Sequence, residues 1–204
     1  MGSQMGGIST TVRFLQEENQ RLLEQNEDLS EQNQHLRETL KSLKGLMRTI
    51  ARFNAKTDLN RLLNRIVYEA VRIVDAVDGS LLLVDDEKEE LVFVAVRSEL
   101  RDRLLGHRIP IDTGIAGWVV RHREAVIAND VSQDERFSSD VDQKLHFTTE
   151  SLLAVPLISR RKTLGVIELV NKFSKKPFDD IDVETLSMLA PLAATAIDLA
   201  SISS

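Results

Sequence analysis

The sequence predicts an α+β protein: an antiparallel β-sheet with helices packed on one face, preceded by an N-terminal parallel dimeric coiled coil. Three observations predict it. Leucine or isoleucine returns every seven residues from Leu15 to Ile50. Two helical periodicities, at about 58–74 and 180–202, bracket the remainder. Between them lie short β-rich runs punctuated by charged or glycine-containing turns.

The first seven residues, MGSQMGG, read as an expression scar. Residues 8–56 read as the coiled-coil helix. Leu15, Leu22, Leu29, Leu36, Leu43 and Ile50 at heptad position d place Val12, Asn19, Asn26, Asn33, Leu40 and Met47 at position a. Leucine at d favours two parallel strands. A buried Asn at a is satisfied when it meets its own copy across the seam, so the three asparagines fix register and strand number at some cost in stability. The alternative is one amphipathic helix docked on its own domain; a narrow a/d seam with polar residues on the other faces argues against it. A DNA-binding zipper carries a basic helix upstream, whereas residues 1–12 hold no Lys or Arg.

Thr57 is placed to cap a helix starting at Asp58, in which Leu59, Leu62, Leu63, Ile66, Val67, Ala70, Val71 and Val74 follow helical spacing. Asp78-Gly79 is expected to break it. Ser80–Val84 and Leu91–Val96 read as strands joined by an acidic turn, and Arg108–Ile111 as a short extended piece. Asp112-Thr113-Gly114 leads into a short helix, Ile115–Arg123. Strands are expected at Ala125–Ala128, Ser151–Ile158 and Thr163–Val170, with a long loop at about 129–150. The closing helix spans about Asp180 to Ile202.

The chain has 204 residues and no cysteine, which excludes disulfides, thiolate metal sites and thiol catalysts and fits a reducing, cytoplasmic setting. No uninterrupted apolar run approaches the ~18–20 residues that span a bilayer, so no membrane insertion of this segment is expected. Residues 58–204 hold 18 Lys/Arg and 25 Asp/Glu, a balance of −7 that opposes nucleic-acid binding. His35, His107, His122 and His146 show neither metal-ligand spacing nor a paired nucleophile, so no enzyme activity is expected. A haem held by a lone histidine stays open; otherwise no cofactor is predicted.

Several stretches together carry a resemblance: Gly114-Ile115-Ala116-Gly117-Trp118-Val119-Val120, Asn129-Asp130-Val131, Asp134-Glu135-Arg136-Phe137, Val141-Asp142, Phe147 through Leu157, and Gly165 through Lys172. In this order and spacing they resemble a GAF domain, over about residues 57–202. Within that family the chain is most similar to the regulatory domains of cyclic-nucleotide phosphodiesterases and bacterial adenylate cyclases. Asn171-Lys172, Phe178 and Asp182 match that subgroup's closing signature, except that Val183 stands where Glu is expected. The resemblance implies that this signature braces the domain.

The resemblance makes residues 57–204 a sensory domain whose ligand lies between the sheet and the 129–150 loop. It implies contacts from Arg97 and Ser98, from Ile115 and Ala116 at a helix N-terminus suited to a cyclic phosphate, and from Asp142, Leu145, Thr149 and Glu168. Leu145 stands where nucleotide binders carry threonine, and Ser138 where they carry an aromatic residue. Two alternatives stay open from the residues themselves. Gly114 and Gly117 either shape a ligand-binding terminus or merely permit a tight turn. Glu168, on one face with Val166 and Val170, is expected to sit among apolar neighbours and to need either a ligand donor or an internal partner.

The expected function is a regulatory module that binds a cyclic nucleotide, cyclic AMP slightly ahead of cyclic GMP. It would signal as a parallel homodimer through helices to an output domain beyond Ser204. The alternatives are a sensor of another metabolite such as 2-oxoglutarate, or a ligand-free dimerisation module.

Overall fold

A computed structural model of the protein describes residues 4–51 and 59–202; the expected cap at Thr57 and helix start at Asp58 lie outside the described residues. The chain divides into two units at Lys44/Gly45. In the first, helix α1 (Gln4–Ala51) takes up four of the seven residues read as a scar and continues without a break to the end of its span. Ion pairs one turn apart, Arg13–Glu17 and Arg21–Glu18, support it. Leu15, Leu22, Leu29 and Leu40 stand exposed along it, as do Asn19, Asn26 and Asn33. The side chains of Leu36 and Leu43 lie outside the described residues.

The second unit holds the sheet. Helix α2 (Leu59–Val74) buries the apolar face read from its periodicity. It ends because Asp75 turns left-handed, at φ 59°. The break therefore comes before Asp78-Gly79, which belong to strand β1 (Ala76–Asp85). β2 (Glu90–Arg97) returns antiparallel across the acidic turn. A short helix α3 (Arg101–Leu104), which periodicity alone does not reveal, leads to β3 (Arg108–Pro110) and helix α4 (Gly114–His122). β4 (Val126–Ala128) is followed by a 3-10 turn (Val131–Gln133) and helix α5 (Asp140–Leu145), so the expected loop carries structure of its own. β5 (Leu152–Ser159), β6 (Lys162–Lys172) and helix α6 (Asp180–Ile202) complete the unit.

The six strands form one antiparallel sheet in the order β3-β2-β1-β6-β5-β4. Helices do not occupy one face only. α2 and α6 pack against each other and on one face, while α4 packs on β5 and β6. Alternation along the central strands requires both layers. Leu81, Ile167 and Leu169 are fully buried toward α2 and α6, and Leu82, Val166 and Ala154 are buried with Ile115, Val119 and Val120 of α4. A one-sided arrangement would leave one of these sets in water.

By length and composition α6 is apolar enough to cross a membrane. Acidic residues in its first turn and Asp198 near its end interrupt any apolar run. Its buried face, Leu186, Leu189, Ala190, Ala193, Ala194 and Ala196, is spent on the sheet and α2.

The closing signature braces the domain. The Asn171 side chain accepts from the backbone N–H of Glu150 and Ser151 and donates to the Thr148 carbonyl. Lys172 Nζ lies 2.6 Å from Asp182 Oδ2, both side chains 11% exposed. Asn129 bonds both the N–H and the carbonyl of Phe178. Asp182→Ala would leave Lys172 shielded without its partner, so a loss of about 3–5 kcal/mol is expected in urea unfolding. Adding Lys172→Met to that variant should recover much of the loss; equal stability of both variants would remove the ion pair from this role.

Candidate functional site

The α4 side of the sheet is not filled. A cavity of about 160 Å³, room for on the order of ten water-sized spheres, lies between β1, β2 and β6, the N-terminus of α4, and the α5 segment. It suits a small organic molecule better than an ion.

Its α4 end is built by two glycines. Gly114 opens the helix at φ +71°, and a Cβ on Gly117 would stand 2.5 Å from the Ile111 carbonyl oxygen. The turn and the close approach thus need these residues, and the same turn aims the helix end at the cavity. The N–H groups of Ile115 and Ala116 have no acceptor among the described residues; the first capping bond is Gly117 N–H to the Thr113 carbonyl. Unsatisfied donors at a helix N-terminus favour a negative group.

The opposite wall is the sheet. Glu168 sits on β6 beside Ser80 of β1 and Ala154 of β5, 8% exposed, and lines the cavity. No hydrogen bond or ion pair reaches its carboxylate among the described residues. Burial pushes its pKa up from 4.5 to about 7. Of the two partners left open by the sequence, the internal one is not found among the described residues. Asp78, two residues before Ser80, lines the same wall. Burial raises its pKa too, while the Ser98 hydroxyl pulls the other way.

The lid is α5 with its flanks. Asp142 accepts from the Thr149 N–H at 2.7 Å and from its hydroxyl at 2.9 Å, closing the loop on itself around a left-handed His146. Arg103 of α3 donates to the Leu145 and Lys144 carbonyls at 3.2 and 3.1 Å, clamping the end of α5. Arg136 pairs with Asp134, holds that carboxyl below its usual range, and lies 4.7 Å over the Trp118 ring.

The structure brings Ser98, Ile115, Ala116, Asp142, Leu145, Thr149 and Glu168 to this cavity. Arg97 is not among them. A bulge lies in the pairing of β2 with β1: Leu82 pairs with Phe93, but Leu81 pairs with Ala95. The extra residue, Val94, flips the alternation, so Val96 faces the cavity and Arg97 turns to the α2 side, 5.8 Å over Tyr68. The residues that sequence reasoning missed are Asp78 and Arg103. Extending the alternation of β1 back through Ser80 would have found the first; no local pattern signals the second.

A carboxyl whose pKa is raised on folding stabilises the folded state while it stays protonated. That benefit fades as pH rises from 4.5 through about 7. The ligand-free domain should therefore lose on the order of 3 kcal/mol across this interval through Glu168 alone. The other titratable groups lining the cavity are Asp78, His107, Arg108, Asp140, Asp142 and Lys144. Glu168→Gln, compared with the parent in urea melts from pH 5 to 8, should flatten the slope and be the more stable protein at pH 8. An unchanged slope would mean that Glu168 does not titrate in this range.

Comparison with known proteins agrees with this architecture. The family model for the GAF domain matches residues 56–198. The chain is 31% identical over 120 residues to a cone cGMP-specific 3′,5′-cyclic phosphodiesterase subunit alpha′ of Mus musculus, covering 57% of this chain and 14% of that protein. It is 32% identical over 155 residues to a dual 3′,5′-cyclic-AMP and -GMP phosphodiesterase 11A of Takifugu rubripes, covering 71% and 17% respectively. The chain thus spans only a small part of the length of these relatives. Among solved structures, the GAF domain from an Acinetobacter phosphoenolpyruvate-protein phosphotransferase superposes with a TM-score of 0.67 at 23% identity, covering 80% of this chain and 94% of that one. A free methionine-R-sulfoxide reductase from Neisseria meningitidis does so at 0.66 and 20% identity, covering 81% and 92%. At these identities the structural likenesses speak to the fold alone. The family match takes in every strand of the sheet, all of α2 and most of α6, and the chain belongs to the GAF domain family.

Proposed function

We propose that the chain is a regulatory, non-catalytic sensor that binds a cyclic nucleotide, cyclic AMP ahead of cyclic GMP, and signals as a dimer. The observation that carries it is one lidded cavity with unsatisfied N–H donors at the α4 end and an unpartnered carboxylate at the sheet. A cyclic phosphate complements the first. Ribose hydroxyls or base N–H groups complement the second. The names of two relatives, phosphodiesterases of cyclic nucleotides, point the same way. The dicarboxylate 2-oxoglutarate fits less well, because one of its ends would face Glu168 and Asp78.

Ligand closure would act through the lid. The segment after α5 is tied to the end of β6 by Asn171, and Asn129 is tied to the start of α6 by Phe178. A ligand that prefers one lid position by a few kcal/mol would bias the α6 end of the domain by the same amount. The exposed leucine seam of α1 would pair with that of a second copy.

Melting in the presence of cyclic AMP, cyclic GMP, AMP, GMP and 2-oxoglutarate tests the ligand. Saturation at ~100 times the dissociation constant adds ~2.7 kcal/mol, a rise of roughly 5–15 °C for a domain of this size. A cyclic nucleotide should produce it and its linear counterpart should not. A shift with 2-oxoglutarate alone, or with none of them from protein shown empty by mass spectrometry, would sink the cyclic-nucleotide assignment.

Light scattering at micromolar concentration should give a dimer, and Asn19, Asn26 and Asn33 replaced together by leucine should melt higher and form larger oligomers. A monomeric parent protein would rule out the paired seam.

A further inference from the structure

The sheet wall of the cavity carries a second carboxylate that no sequence motif marks. Antiparallel pairing arranges its side chains in rows across the strands. One row runs Val96, Ser80, Glu168, Ala154 across β2, β1, β6 and β5. The next holds Asp78 of β1, paired with Val170 of β6. Asp78 and Glu168 are therefore diagonal neighbours on one face, a spacing of roughly 7–8 Å between backbones that both side chains can bridge.

The two differ in what satisfies them. Asp78 is half-buried and shares the Ser98 hydroxyl, which itself accepts from the Leu100 N–H at 3.1 Å. Glu168 is 8% exposed and has no partner among the described residues. The cations that also line the cavity do not supply one. Arg108 is held outward by Asp85 and Glu90 at 2.8 and 2.6 Å, and Lys144 lies exposed on the lid. Both carboxyls thus stand on one wall of the cavity, Asp78 with a single hydroxyl donor and Glu168 with none among the described residues. A group carrying several N–H donors supplies what that wall lacks, and an anion there adds a like charge beside both.

We propose that Asp78, together with Glu168, is a specificity determinant that makes the sheet end of this cavity select a nitrogen donor group on the ligand: amino, amidine or guanidine. This rests on the cavity being a small-molecule site. The preferred ligand is then dipolar in its demands, negative or acceptor-bearing toward α4 and N–H-bearing toward Asp78. An amino-substituted purine cyclic phosphate meets this description. A dicarboxylate does not.

Matched probes read the sheet end without assuming the natural ligand. Benzamidine and benzoate share a flat ring and differ in the sign of the charged group. Titrated into the full chain carrying 13C-labelled Asp and Glu, benzamidine should bind at least roughly tenfold more tightly than benzoate and move the Asp78 and Glu168 carboxyl resonances. Asp78→Asn should weaken benzamidine by roughly tenfold while leaving benzyl alcohol unaffected. Asp78→Ser, titrated below its melting transition, gives the same readout if the asparagine variant folds poorly. Benzoate binding as tightly as benzamidine, or benzamidine affinity unchanged in both variants, overturns the proposal. Cyclic AMP binding without a benzamidine preference removes this inference alone. A benzamidine preference without cyclic-nucleotide binding removes the cyclic-nucleotide assignment and leaves this one.

Discussion

The antiparallel pairing of β1 with β6 places two central strands, almost ninety residues apart in sequence, side by side with both faces to be covered. Everything else in the domain answers that demand. Leu81, Ile167 and Leu169 need α2 and α6; Leu82 and Val166 need α4. Burying each such side chain is worth roughly 1.5–3 kcal/mol, so neither layer is dispensable. The α4 layer is short, nine residues against sixteen and twenty-three for α2 and α6. It covers the sheet incompletely, and the uncovered part is the cavity.

The lid over that cavity is held by directional bonds more than by apolar packing. Asp142 closes on Thr149, Arg103 grips the end of α5, and Arg136 anchors the preceding segment to Trp118 of α4. Leu145 is the one residue of α5 that is buried. Such a segment exchanges geometry at low cost, because hydrogen bonds to water replace those broken whereas buried apolar area has no such substitute. Its two ends are fastened elsewhere, through Asn171 to β6 and through Asn129 to Phe178 at the start of α6. The lid segment is thereby connected through hydrogen bonds to the layer on the opposite face of the sheet.

Glu168 shows how a sheet holds a polar group without destroying itself. It occupies a cross-strand row with Ser80 and Ala154, the smallest neighbours on that face, while Ile167 and Leu169 beside it pack on the other. The strand keeps its apolar anchoring and spends one position on a group whose ionised form is costly where it sits. A structural role would favour glutamine or an aliphatic residue there. A carboxylate with no partner among the described residues, set in the wall of a cavity, is in keeping with the proposed ligand site.

The sequence by itself determined the elements. Helical periodicity in 59–74 and 180–202, alternation in 163–170 and the punctuation of charged turns are local properties, and the structure carries them nearly unchanged. It also determined that Glu168 faces apolar neighbours, because period-two alternation is a local property as well. Tertiary structure alone decided which face each strand presents, and to what. The Val94 bulge turned Arg97 away from the cavity that the alignment of motifs had assigned to it, since one extra residue inverts every side chain beyond it. Pairing with β6 converted Asp78 from a helix breaker into a wall residue. Placement of α4 opposite α2 and α6, and the reach of Arg103 across 41 and 42 residues to the lid, depend on contacts between segments distant in sequence. No window along the chain encodes those contacts, because their free energy exists only once the sheet has brought the segments together.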